Sequence, residues 1–183
     1  GGICDEVQGS DLTWDTGAST YKTIRELLVK HEVLFFRDQD VSPAQQHALA
    51  SSFGPLQSHP AYATVENFPE ITILESTAEN PSKIECWHSD MTFRAHPPLG
   101  TVLRSKVIPD KGGDTLWSSM TAAYDALSPA MQVFLSGLNA VHDFSYGFQE
   151  SLAESGGRER LEKAVLDKTP SIPPAISTCP FDT

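Results

Sequence analysis

In "ECWHSDMTF", residues 85 to 93, a histidine and an aspartate stand two positions apart in a run that is otherwise aromatic, sulfur-bearing or small. A neutral imidazole nitrogen and a carboxylate oxygen suit a divalent first-row metal, and two histidines with one carboxylate form the donor set of non-haem Fe(II) sites. Two ligands of one ion must point the same way. Side chains two apart leave the same face of a strand with their Cα atoms about 7 Å apart, whereas in a helix they diverge by roughly 200°. His88 and Asp90 can therefore share an ion only where the chain is extended, and Trp87, Met91 and Phe93 are compatible with that. The alternative is a partnered strand histidine beside a solvated carboxylate. From the two residues alone, both readings stand.

Composition narrows the setting. The 183 residues are 39% hydrophobic and 20% charged, with no low-complexity run, which predicts one folded domain. A net charge of −11 opposes binding to nucleic acid or to an anionic membrane surface, so small-molecule chemistry is favoured. No apolar stretch approaches the roughly 20 residues of a membrane span, and the opening "GGICDEVQGSDL" lacks the basic and apolar regions of a signal peptide. A cytoplasmic protein is the expectation. Cys4, Cys86 and Cys179 are far apart and form no CxxC, so they suggest ordinary thiols rather than a disulfide framework or a structural zinc site.

The elements that must position the pair can be read from periodicity and caps. "STYKTIRELLVKHE" predicts a helix behind a Ser/Thr start, with Tyr21, Ile24, Leu27 and Leu28 on one face, and "VLFFRDQ" a buried strand at Val33 to Arg37. "SPAQQHALASSFG" predicts a second helix with Ser42 as N-cap, Pro43 at its first position and Gly54 past its end. A polar loop through "SHPAYATVENFPE" leads to a strand at Ile71 to Ser76. Strands at 100–108 and 114–119 form a hairpin over "PDKGG", flanking the His88 region. Two short helices come next, at "SSMTAAYDAL" and at "SPAMQVFLSGL" with Ser128 and Pro129 at its start, then a strand at "NAVHDF" and a helix at "GRERLEKAVLDK". Trp87 and Trp117 read as core aromatics, Cys86 as a small buried thiol, His96 and His142 as structural or surface residues, and Asp114 as a turn residue.

The blocks around the pair carry more. "WHSDMTF" followed by "PPLG" and "GGDTLWSS" resembles, in order and spacing, the taurine dioxygenase family of Fe(II)/2-oxoglutarate-dependent oxygenases. "GSDL", "HEVLFFRDQ", "SPAQQHALASSFG" and "HPAY" look like that family's N-terminal blocks, and "AAYDALS", "LSGL" and "HDF" continue the likeness. The resemblance implies an α+β fold, a cupin-like double-stranded β-helix or jelly roll with flanking helices. It implies Fe(II), with 2-oxoglutarate and O2 as cosubstrates, and hydroxylation of a small organic acid, such as a sulfonate like taurine with release of sulfite. His88 and Asp90 match the first two iron ligands and Thr115 the threonine on 2-oxoglutarate. His59, Tyr62 and Phe148 match substrate-pocket positions. Where taurine-cleaving members carry an asparagine shortly before the HxD pair, this chain has Ile84, which leaves an alkylsulfatase-type or other small-acid substrate open.

The family's third iron ligand, a histidine, and its arginines for 2-oxoglutarate and for the substrate anion match no residue up to Thr183, and the tail at 175–183 departs from the family pattern. The expectation is the N-terminal portion of such a domain, its β-helix incomplete at the C-terminal end, inactive alone and prone to form a homo-oligomer. Two rival readings are a non-catalytic jelly-roll binding remnant and a cupin-type metal hydrolase, which has no need of the Thr115 block.

Overall fold

In the computed structural model, residues 3–13, 17–59, 62–79, 81, 86–159, 161, 172–173 and 175 are described. The chain divides into two compact units, one from Gly1–Pro55 with Gly100–Val133, the other from Leu56–Leu99 with Phe134–Thr178.

The first unit opens with a parallel pair joined through a helix. Strand β1 (Asp5–Glu6) leads by way of α1 (Ala18–His31) to β2 (Leu34–Phe35), with Asp5 opposite Leu34 and Glu6 opposite Phe35. Backbone bonds from Asp5 N–H to Val33 O at 3.0 Å and from Val7 N–H to Phe35 O at 2.9 Å extend the pairing. Sequence places the start of α1 at a Ser/Thr cap, but the N-cap is Gly17 and no side chain caps the helix. Its end is better defined. Glu32 has φ 62° and returns its N–H to Leu28 O at 2.8 Å, while Lys30 and His31 in the last turn oppose the negative end of the helix dipole.

Helix α2 (Pro43–Ser51) forms where its caps predict. Ser42 Oγ accepts from Gln45 N–H at 3.3 Å and Ser42 N–H donates to Gln45 Oε1 at 2.6 Å, a reciprocal capping box. Ile24 from α1 and Leu49 from α2 meet Leu12 and Val41 in a small core, against which Tyr21, Leu34, Phe36, Phe53 and Val102 pack. Gln46 Nε2 donates to Val102 O at 3.0 Å and Arg104 Nη2 to Asp40 Oδ1 at 2.8 Å, so two side chains hold the stretch after Gly100.

That stretch departs from expectation. Gly112 and Gly113 adopt φ of 76° and 74° after a bend at Asp110 and Lys111, but neither 100–108 nor 114–119 enters a ladder. A strand needs a neighbour to satisfy its backbone and cover its apolar face, and among the described residues neither segment has one. Val107 is accordingly 92% exposed, and Leu103, Ile108, Leu116 and Trp117 are exposed beside it. Helix α3 (Met120–Asp125) comes next, capped by Ser119 Oγ on Ala122 N–H at 3.0 Å. Helix α4 (Pro129–Ser136) starts with Ser128 Oγ accepting from Met131 N–H at 3.3 Å.

The second unit carries an antiparallel hairpin, β3 (Thr64–Val65) with β4 (Phe68–Thr72), turned at Asn67, whose φ is 64°. The strand expected at Ile71 to Ser76 thus lies earlier, because the turn residues Glu66 and Asn67 fix the register. Two short helices that periodicity does not announce, α5 (Phe144–Gly147) and α6 (Gln149–Ala153), begin at an Asx cap in which Asp143 Oδ1 accepts from Ser145 N–H at 2.8 Å. Phe144 and Leu161 are the fully buried pair, packed with Phe93, Phe148 and Leu152. In place of a strand at "NAVHDF", two backbone bonds join 138–140 to Pro173 and Ala175. Of the helix expected over 157–168, residues 157–159 and 161 are helical and the rest lie outside the described residues, as does the tail after Ala175. Among the described residues the strands form two two-stranded sheets, and no helix is long and apolar enough to cross a membrane.

The capping box generates a stability prediction. Ser42→Ala removes the acceptor for Gln45 N–H and is expected to cost about 1 kcal/mol, read as a lower midpoint in denaturant unfolding with an unchanged slope.

Candidate metal centre

His88 and Asp90 lie in the second unit, on a loop rather than a strand. Residues 87–89 have no regular pairing, and a turn at 90–93 is closed by Arg94 N–H on Met91 O at 3.0 Å. Met91 takes φ 57°, a left-handed conformation uncommon for a side chain of its kind. The expectation of a strand is therefore corrected, yet the two side chains converge. What brings them together is a bond that sequence reasoning missed. His88 Nδ1 lies 2.9 Å from Cys86 O, which can only accept, so Nδ1 carries the hydrogen and the ring is held by its own backbone.

With Nδ1 so occupied, Nε2 faces Asp90 Oδ1 at 3.2 Å. With a proton on Nε2 the pair is an imidazolium–carboxylate ion pair; with the imidazole neutral, both atoms present lone pairs that one metal cation can share. The spacing suits a metal. Two donors at right angles about an ion, each about 2.1 Å from it, are about 3.0 Å apart. Donation of the far ring N–H to a backbone carbonyl is also how metal-bound histidines are oriented. Both side chains are half exposed, at 48% and 58%, so an ion could reach them. Among the described residues no set of three His, Cys, Asp or Glu is gathered around one point. The residues present therefore fit two positions of a metal site.

Beside the pair stands a wall of rings, also in the second unit. His59 and Tyr62 have centroids 4.6 Å apart, His59 and Phe148 5.6 Å, and Tyr62 and Phe148 6.3 Å. Phe93, three residues after Asp90, meets His59 edge-on at 6.4 Å and Phe144 at 5.1 Å, and Phe144 stacks on Phe148 at 4.3 Å with 15° between planes. The spacing of Phe144 and Phe148, one helical turn apart, was the signal for that stack. Burial pushes the Tyr62 phenol above its ordinary pKa, and the Asp90 carboxylate adds to the shift.

The structure thus brings His59, Tyr62 and Phe148 together and sets His88 against Asp90, with Tyr62 sensing Asp90. Thr115 belongs to the first unit, exposed in the irregular stretch after Gly113. Ile84 lies outside the described residues. Cys86 contributes its carbonyl while its thiol-bearing side chain is exposed rather than buried. Trp87 and Trp117, expected in a core, are 68% and 41% exposed, since both sit on segments with no regular pairing.

The model of the taurine catabolism dioxygenase TauD, TfdA family matches residues 3–182. The chain belongs to that family. Among its relatives, an alkylsulfatase from Acinetobacter baylyi is 33% identical over 91% of this chain and 53% of its own length. An alpha-ketoglutarate-dependent sulfate ester dioxygenase from Pseudomonas putida is 33% identical over 81% of this chain and 49% of its own. The crystal structure of a taurine dioxygenase from Burkholderia xenovorans superposes with a TM-score of 0.68 at 35% identity, covering 79% of this chain and 51% of that one. The chain spans about half the length of the curated relatives it matches. The likeness in fold thus covers most of this chain and about half of that taurine dioxygenase, while among the described residues the strands form only short pairs.

The Tyr62–Asp90 link can be tested by titration. Ionising the phenol creates a charge that burial and Asp90 both oppose, so the folded chain holds this proton more tightly than the unfolded one. Its contribution to stability is whole below the ordinary pKa of 10.0 and is lost as pH rises through the raised value. In the metal-free protein, the phenolate absorbance difference between wild type and Tyr62→Phe should appear above pH 10.0. Asp90→Asn should move it partway down, because burial, the larger cause, remains. A Tyr62 titration indifferent to Asp90→Asn would contradict the juxtaposition.

Proposed function

We propose that the protein is an Fe(II)/2-oxoglutarate-dependent dioxygenase of small organic acids, with a sulfate ester or an apolar sulfonate preferred to taurine. The observation that carries this reading is the His88–Asp90 pair at 3.2 Å beside the His59, Tyr62 and Phe148 rings. His88 Nε2 and Asp90 Oδ1 would hold the iron, with the third ligand supplied from outside the described residues. When bound, iron couples oxidation of 2-oxoglutarate by O2, to succinate and carbon dioxide, to insertion of the second oxygen atom into a substrate C–H bond. For a sulfonate or sulfate ester hydroxylated at the carbon next to the anionic group, the product collapses to an aldehyde and sulfite or sulfate.

The chain's own residues have separable tasks. The Cys86 carbonyl orients the His88 ring, and the carboxylate of Asp90 offsets part of the metal's charge. Tyr62 keeps its proton well past neutral pH and so offers an O–H donor to an anionic head group. Phe148, Phe93 and the face of His59 provide an apolar surface for the substrate's carbon chain and keep water from it. Thr115 would donate its hydroxyl to a carboxylate of 2-oxoglutarate. Ile84 has no group for an amine or a sulfonate oxygen, which favours an alkyl over an amino-alkyl substrate. The names of the alkylsulfatase and the sulfate ester dioxygenase relatives support the same preference.

Calorimetric titration with Mn(II) tests the ligand assignment. Affinity should fall on the order of tenfold or more in His88→Ala and in Asp90→Ala, and rise for wild type when 2-oxoglutarate is present. Mn(II) binding indifferent to both substitutions would refute the assignment. Mn(II) affinity that 2-oxoglutarate leaves unchanged would favour a binding module over an oxygenase.

A further inference from the structure

Two hydrogen bonds join the loop that carries His59 and Tyr62 to the loop that carries His88 and Asp90. Arg94 Nη2 donates to Ser58 O at 2.8 Å, and Gln57 Nε2 donates to His96 O at 3.2 Å. Each bond runs from a side chain on one loop to a backbone carbonyl on the other, in opposite directions. Their places in the chain give them leverage. Ser58 precedes His59, while the backbone N–H of Arg94 closes the turn that begins at Asp90, with Phe93 between them reaching the His59 ring at 6.4 Å. Neither side chain is a loose surface group. Arg94 Nε and Gln57 Oε1 are buried and have no hydrogen-bond partner among the described residues, so the fold keeps a guanidinium and an amide here at a cost in unmet polar groups. A charged donor on a main-chain carbonyl is among the stronger single hydrogen bonds available.

We infer that Arg94 is a positioning residue: through Ser58 it sets the ring wall of His59 and Tyr62 at its distance from the His88–Asp90 pair. Gln57 supports the same junction from the other side. Arg94 Nη2 bonds the Ser58 carbonyl, so its action on the rings is assigned to the loop it holds. The inference rests on the proposed role of that wall, and its test therefore reads ring position rather than turnover.

The experiment compares histidine ring signals in NMR spectra of the 183-residue chain, specifically labelled at histidine, in wild type, Arg94→Met, Arg94→Lys and Gln57→Leu. His59 should carry a ring-current shift from Tyr62 and Phe148 that is lost in Arg94→Met and reduced in Gln57→Leu. Arg94→Lys retains a cationic donor and should restore most of the shift, a rescue that mere filling of space would not give. The signals of His47 and His142 should stay in place, and Mn(II) affinity at the pair should change by less than about twofold. An unmoved His59 in Arg94→Met overturns the inference. If Arg94→Met collapses every histidine signal, Arg94→Lys decides: a retained His59 shift supports the inference, and a lost one overturns it. Failure of every variant to bind Mn(II) would strike the metal reading and leave the Arg94 result standing.

Discussion

One hydrogen bond inside a three-residue stretch governs the site. Cys86 O holds His88 Nδ1–H at 2.9 Å, and by doing so it turns the ring and points Nε2 at Asp90. Without it, His88 would be a half-exposed side chain on a loop, free to choose among rotamers, and no strand would be there to align it. The left-handed Met91 and the turn closed by Arg94 bring the carboxylate back to meet the ring. Strain in the backbone and a local bond thus replace the regular pairing that would otherwise orient two ligands.

Everything around the pair adds an environment to it. The Phe144 and Leu161 core anchors Phe148 and Phe93, those rings anchor His59, and His59 sits against Tyr62. The chain of contacts ends at Tyr62, whose phenol responds to the charge on Asp90. An apolar wall ending in a neutral hydroxyl, beside the proposed two-donor metal position, is the basis for proposing a substrate with an anionic end and a carbon chain. That is a narrower expectation than family membership alone supplies.

How much of this was legible in the sequence depends on how local each signal was. Helix α2 was readable because Ser42, Pro43 and Gln45 satisfy the orphan N–H groups of its first turn among themselves. The family was readable because its blocks are spread along the chain. The conformation at 100–119 was not, since alternation of apolar residues predicts a strand only where a partner exists, and Val107, with no such partner among the described residues, is left bare to solvent. His88 and Asp90 were readable as residues, but strand parity was the wrong mechanism for their meeting. The carbonyl of Cys86 and the side chain of Arg94 were invisible for the same reason. A backbone acceptor leaves no trace in residue type, and one arginine among the 13 basic residues carries no mark of the loop it holds.

The central claim is that His88 Nε2 and Asp90 Oδ1 hold one metal ion together. Electron spin echo modulation of the Mn(II)-loaded protein, prepared with nitrogen-15 histidine, measures it most directly, because only a nitrogen bonded to the metal gives a strong coupling. The account predicts a histidine nitrogen coupling that disappears in His88→Ala and persists in His96→Ala. A coupling that survives His88→Ala unchanged, or none in the wild-type protein, would contradict it.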